Sequence, residues 1–207
     1  AASRKLGPIT KNTRACRCCN ATATRPPARM ATSRGLHGWE MRAARTVFAG
    51  CIEYGRVRVH EGARWANAAD DWARRLRAMR PRPAQQHNAI ALGFHCFFPV
   101  RLLHPAEQPG KMPAPSMAWL LHELTHVWQF QRMGWRYLLL ALAAHLREGA
   151  RVYDFGGEAG LRRRRRQGWQ LQNFNLEQQA AIVQSACQHV SARHPDSIWR
   201  EYLADVR

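Results

Sequence analysis

The sequence predicts an α+β fold: several helices with a short β-sheet or hairpin, gathered in one domain. Three observations carry this. Apolar residues recur at helical spacing in several separate segments. A few short alternating or apolar runs, bounded by Gly and Pro, read as strands. No strand–helix–strand alternation of the parallel α/β kind is present. At 207 residues the chain suffices for one domain with a core and is short for two.

The first 38 residues carry Gly, Pro, Thr and Arg without periodicity and without a secretory apolar region. They are expected to be a disordered basic extension, with Met30 and Met41 as alternative starts, and the folded domain is expected over 39–207. Met41, Ala44, Phe48, Cys51 and Ile52 form a helical stripe that ends at Gly55. Val57–His60 alternates as a short strand. Trp65, Ala69, Trp72, Leu76 and Met79 recur at helical spacing, with Pro81 and Pro83 as the stop. Residues 87–100 read as two short strands around Gly93. Prolines 105, 109, 113 and 115 make a loop, after which Ser116 caps a helix running to Met133 and closing at Gly134. Another helix spans Trp135 to Glu148. An irregular stretch holding Arg162–Arg166 leads to Asn175, which with Gln178 forms a capping box for a last helix striped by Leu176, Ala180, Val183, Cys187 and Val190.

The charge is lopsided: 32 Lys+Arg against 14 Asp+Glu, a net +18. Such a balance suits acidic partners such as nucleic acid, anionic lipid or an acidic protein. A GC-rich coding bias gives the same composition, so nucleic acid binding through Arg162–Arg166 is the weakest reading, against a solvated loop. Cys16, Cys18 and Cys19 lack the spacing of a zinc knuckle. Cys51, Cys96 and Cys187 fall on apolar stripes or in a strand and are expected to be buried and inert. The longest apolar run, Tyr137–Ala144, is less than half the ~20 residues of a membrane span, so none is expected.

The chemistry lies in HELTH, His122 to His126. Residues four apart share a helix face, so His122 and His126 can present their imidazoles to one metal ion. A catalytic zinc takes three protein ligands and leaves one position open. Glu123, next to a ligand without being one, is placed to act as base and proton shuttle. Spacing leaves the third ligand open among Glu148, Asp154, Glu158, Glu177, His189 and His194. Glu177 opens a later helix, where the helix dipole alone would also favour an acid by ~0.3–1 kcal/mol.

The blocks MRAARTVFAGCIEYGRVRVHEG, HNAIALGFHCFFP, LLHELTHVWQFQRMG and NFNLEQQAAIVQ, in this order, resemble a family of small bacterial zincin-like proteins. That family is described as Vgr-related and is associated with type VI secretion and Rhs elements. The resemblance covers about residues 40–190; the 38-residue head and the five-arginine run depart from it. It implies a compact zincin fold, Zn2+ held by His122, His126 and Glu177, Glu123 as base, and Tyr153 near the site. It also implies either a zinc metallopeptidase acting on a peptide or protein substrate, or a weakly active or inactive adaptor with a secretion-system partner. The chain would then work in the bacterial cytoplasm or be exported through that system.

Among the other candidates, Trp119 lies on the side of Glu123 and is expected to line a cleft, with Trp135 also considered, whereas Trp128 packs in the core. His87, His95 and His104 flank the hairpin without being ligands. Residues 94–98 are expected to supply the strand edge on which an extended peptide would pair.

Overall fold

In the computed structural model, which describes residues 32–63, 65, 68, 88–103, 115–189 and 197–207, four strands and six helices form an α+β fold. In chain order these are β1 (Thr32–Arg34), α1 (Gly38–Phe48), β2 (Arg58–Glu61), β3 (Ile90–Leu92), β4 (His95–Phe98) and α2 (Pro115–Met133). Then come α3 (Arg136–Glu148), α4 (Gly157–Arg166), α5 (Leu176–His189) and α6 (Ile198–Ala204). Several expectations fall outside the described residues: those for 1–31, the helix beyond Trp65, His87, the loop through His104, Val190 and His194.

The strands lie in the order β1-β2-β4-β3. The central pair β2–β4 is parallel, and both outer pairings are antiparallel. Val59 stands opposite Cys96, and Cys96 opposite Ala91. All three are buried, whereas His60, Phe97 and Ile90 on the other face are only partly covered. One face of the sheet is thus given to the core, as the period-2 alternation requires. Leu92 pairs with His95 across a two-residue turn whose first position, Gly93, has φ +63°. A tight hairpin needs that conformation, and Gly supplies it without steric cost.

Helix α2 packs against α1, β3, β4, α3 and α5. Every residue from Leu120 to Gln129 is buried, so the motif helix is enclosed on all sides rather than striped on one. Ser116 is not its cap. It is the second helical residue, after Pro115, and its Oγ accepts the Leu103 N–H at 3.2 Å. The helix closes at Gly134 (φ +60°), as expected.

Order begins earlier than Trp39. Strand β1 pairs with β2, and Arg34 ties it down: its guanidinium donates to both Glu40 carboxylate oxygens (2.7 and 2.8 Å) and to Glu61 Oε1 (2.8 Å). Glu40 is fully buried at the start of α1 and also accepts the His37 N–H. A three-residue strand has no periodicity to read; its order comes from charges on α1 and β2.

Helix α1 stops at Phe48, before Ala49 with φ +46°. Cys51 and Ile52 therefore lie beyond it, and Cys51 is half-buried rather than buried. Cys96 is buried as expected, and Cys187 is half-buried. The stretch through Arg162–Arg166 is not irregular but helical. Arg162 bonds Glu158, Arg164 stacks over Trp169 and Phe174, and Arg165 holds Asp205 (2.8 and 3.1 Å) and Glu201. These tertiary partners fix a helix that has little apolar stripe of its own. Helix α6, unanticipated from sequence, buries Trp199 and Tyr202 against α5 and α4. Among the described residues no helix is long and apolar enough to cross a membrane.

Candidate metal centre

The capping box expected for α5 is present: Gln178 N–H donates to Asn175 Oδ1 (2.8 Å), and Asn175 N–H donates to Gln178 Oε1 (3.3 Å). It fixes where α5 begins and so places Glu177 in the first turn. Helices α5 and α2 pack closely, and the buried face of α5 is Glu177, Gln179, Ala180, Ile182, Val183 and Ala186. Two polar residues thus occupy the stripe where Leu176 and Cys187 were expected.

Glu177 Oε2 lies 3.7 Å from His122 Nε2 and 3.5 Å from His126 Nε2. The three side chains form a group that can hold a metal ion, with ligand atoms all within 4.8 Å of one another. Two donors ~2.05 Å from a tetrahedral zinc would stand about 3.3 Å apart, so the donor set and spacing fit such an ion with small adjustment. The four rival third ligands among the described residues are engaged elsewhere. Glu148 accepts from Asn175, Asp154 from the Gly156 N–H, Glu158 from Arg162, and His189 bonds the Ser185 carbonyl.

Two imidazoles and a carboxylate this close perturb one another. Burial pushes the Glu177 carboxyl up, but the approach of His122 and His126 outweighs it and holds the acid well below the usual carboxylate range. Burial alone would lower His126; Glu177, Glu123 and Gln129 instead push it up to about 9. Glu123, also buried, is raised by desolvation, with the two histidines pulling it partway back. Its Oε2 and His122 Nδ1 are buried without hydrogen-bond partners among the described residues. A buried polar atom left unpaired needs an explanation, and a carboxylate oxygen awaiting water or substrate is one.

Three residues that sequence reasoning did not assign complete the surroundings. Gln129 Oε1 accepts a hydrogen bond from His126 Nδ1–H at 2.8 Å, which orients the ring with Nε2 turned toward Glu177. The Gln129 amide donates to Leu176 O and to Gln179 Oε1, both at 3.0 Å, and Gln179 donates to Phe174 O. This chain of amides joins the two ligand-bearing helices. Gln129 sits three residues after His126, on the same helix face, so its signal was present in HELTHVWQ. His145 on α3 approaches the other Glu177 oxygen, Nε2 to Oε1 3.3 Å. Tyr137 donates its hydroxyl to the Ala91 carbonyl and so ties α3 to β3. Neither His145 nor Tyr137 has a sequence signal beyond lying in an apolar helix.

A cleft of about 640 Å³ opens onto the group, lined by His122, Glu123, His126, Glu177, His145, Tyr153, Trp119 and the β3 segment, among others. The Tyr153 ring lies 6.1 Å from that of His122. Burial first, then the nearby acids, raise its hydroxyl, which stays protonated. Trp119 lines the cleft as expected. Trp128 is core, and Trp135 is exposed against Phe130 outside the cleft. His95 is exposed and bonds His60, away from the metal group. The strand edge at the cleft is β3, not residues 94–98: β4 is paired on both sides, whereas β3 has one partner among the described residues. No family model matches the chain, and neither a curated protein nor a solved structure matches it.

Proposed function

We propose that the protein is a zinc-dependent metallopeptidase of zincin-like fold, with His122, His126 and Glu177 as ligands. The observation that carries this is the convergence of the three ligand atoms beside a buried, non-ligating Glu123, in a cleft bordered by an edge strand. Zinc bound there would supply Lewis acidity toward water and toward a peptide carbonyl. The protein's own groups do the rest. An extended peptide runs along the outer side of β3, where the Ala91 carbonyl already holds the Tyr137 hydroxyl, and crosses the cleft. Glu123, its carboxyl raised by burial, takes a proton from water and returns it to the leaving amine. The protonated Tyr153 hydroxyl and His145 border the same space and can donate to developing negative charge. The likeness to type VI secretion-associated proteins supports a bacterial setting for this chemistry.

Metal analysis of the purified protein, with Glu123→Gln alongside, tests the proposal. We expect about one zinc per chain in both proteins and peptide hydrolysis in the wild type alone, reduced at least ~100-fold in the variant. A protein that takes up no metal refutes it. Bound zinc with no cleavage across a broad peptide library would instead support the adaptor reading.

A further inference from the structure

Helix α3 turns an aliphatic face to solvent. Its buried residues are Tyr137, Ala141 and Ala144. The opposite side carries Leu139, Leu142 and Leu146, with Trp135 just before the helix, recurring at helical spacing. Their exposures are 68%, 55%, 80% and 60%. Leu138, also exposed, widens the face on one flank. Single exposed leucines are ordinary, but a contiguous set on one helix marks a surface that something covers. From Leu124 to Arg147 the chain contains no Asp or Glu, and exposed Arg136 and Arg147 stand near the two ends of the helix.

Charge and shape choose the occupant. A chain of net +18 opposes docking with a second copy of itself. A helix that fits a protein groove presents a narrow row of anchors. Here the apolar arc from Leu138 round to Ala143 is about 140° wide at 100° per residue, with no polar side chain to fix an orientation. Leucines and an indole on one side, with arginines beside them, are what a helix lying in a lipid interface carries.

We propose that the outward face of α3 docks the protein on an anionic lipid surface. Trp135, Leu139, Leu142 and Leu146 enter the boundary between headgroups and acyl chains, and Arg136 and Arg147 meet lipid phosphates. Leu138 and Leu142 also line the metal-site cleft, so docking sets the cleft mouth along the lipid surface. The docking is independent of metal chemistry and stands or falls apart from it.

The test is flotation of the full chain with phosphatidylcholine vesicles, with and without phosphatidylglycerol, at low and high salt. The wild type is expected on the phosphatidylglycerol vesicles, and the double variant Leu139→Ser, Leu146→Ser to lose at least about tenfold in partition. Both leucines are exposed, so an unchanged melting temperature shows that the variant is folded. Equal binding by wild type and variant would assign the affinity to arginines elsewhere and overturn the proposal. It is overturned equally by no wild-type binding, by no preference for phosphatidylglycerol, or by a wild-type dimer that the variant dissolves.

Discussion

Replacing Gln129 by Leu strikes the metal site and the fold that carries it together. Gln129 is almost wholly buried and makes three hydrogen bonds: one accepted from His126 Nδ1 and two donated toward the start of α5. Leucine keeps most of the volume and removes all three. Losing the partner that orients a metal-ligating histidine costs ~10–100-fold in metal affinity, or about 1.4–2.7 kcal/mol. Leaving Gln179 Oε1 and the second lone pair of Leu176 O without this donor costs about 1–3 kcal/mol of stability. Gln129→Glu distinguishes the two effects: its carboxylate still accepts from His126 but cannot donate. Competition titration with a chromophoric zinc chelator reads the affinity, and urea unfolding of the metal-free proteins reads the stability. The Leu variant should lose both quantities, whereas the Glu variant should lose stability and keep most of its affinity. A Leu variant that binds zinc as tightly as the wild type refutes the role given to Gln129.

Two further outcomes follow from the same structure. Arg34→Met leaves Glu40 buried without its guanidinium and should cost about 3 kcal/mol in urea unfolding; a loss no larger than that of an exposed pair would mean that β1 is not held by this network. In metal-free protein, the raised His126 contributes stability that is complete below its ordinary value near 6.5 and lost as pH rises through about 9. Glu123, also raised, acts in the same direction, so its contribution too is lost as pH rises. Glu177, held low, contributes above its ordinary value near 4.5 and loses this toward acid. The melting temperature of chelator-treated protein should therefore peak between about pH 4.5 and 6.5 and fall from there toward pH 9; a rise over that alkaline range would contradict the assignment.

What could be read directly from sequence was local. The four-residue spacing of His122 and His126 places both on one face of any helix, and the Asn175–Gln178 box starts α5 through bonds within a single turn. The hairpin followed likewise from Gly93 between two short apolar runs. Where the sequence misled, distant partners decided. Arg162–Arg166 has no stripe, yet it is helical because Asp205, Glu201 and an aromatic pair receive its side chains. The apolar pattern of α5 put Leu176 and Cys187 in the core, whereas the packing on α2 buries Glu177 and Gln179 there.

The sequence by itself determined that two imidazoles and a neighbouring carboxylate lie on one helix, because helical geometry relates residues a turn apart whatever surrounds them. It also determined the start of the second ligand helix, through side chains that cap their own backbone. Only the tertiary structure decided that Glu177, rather than the four other candidates among the described residues, meets the histidines, since a long stretch of chain separates them and helix packing alone closes that gap. The strand order β1-β2-β4-β3 made β3, among the described residues, the outer strand beside the cleft. It was packing, too, that turned the leucines of α3 outward: the run YLLLALAA is apolar all round, and which side is covered depends on where α2 and α5 stand.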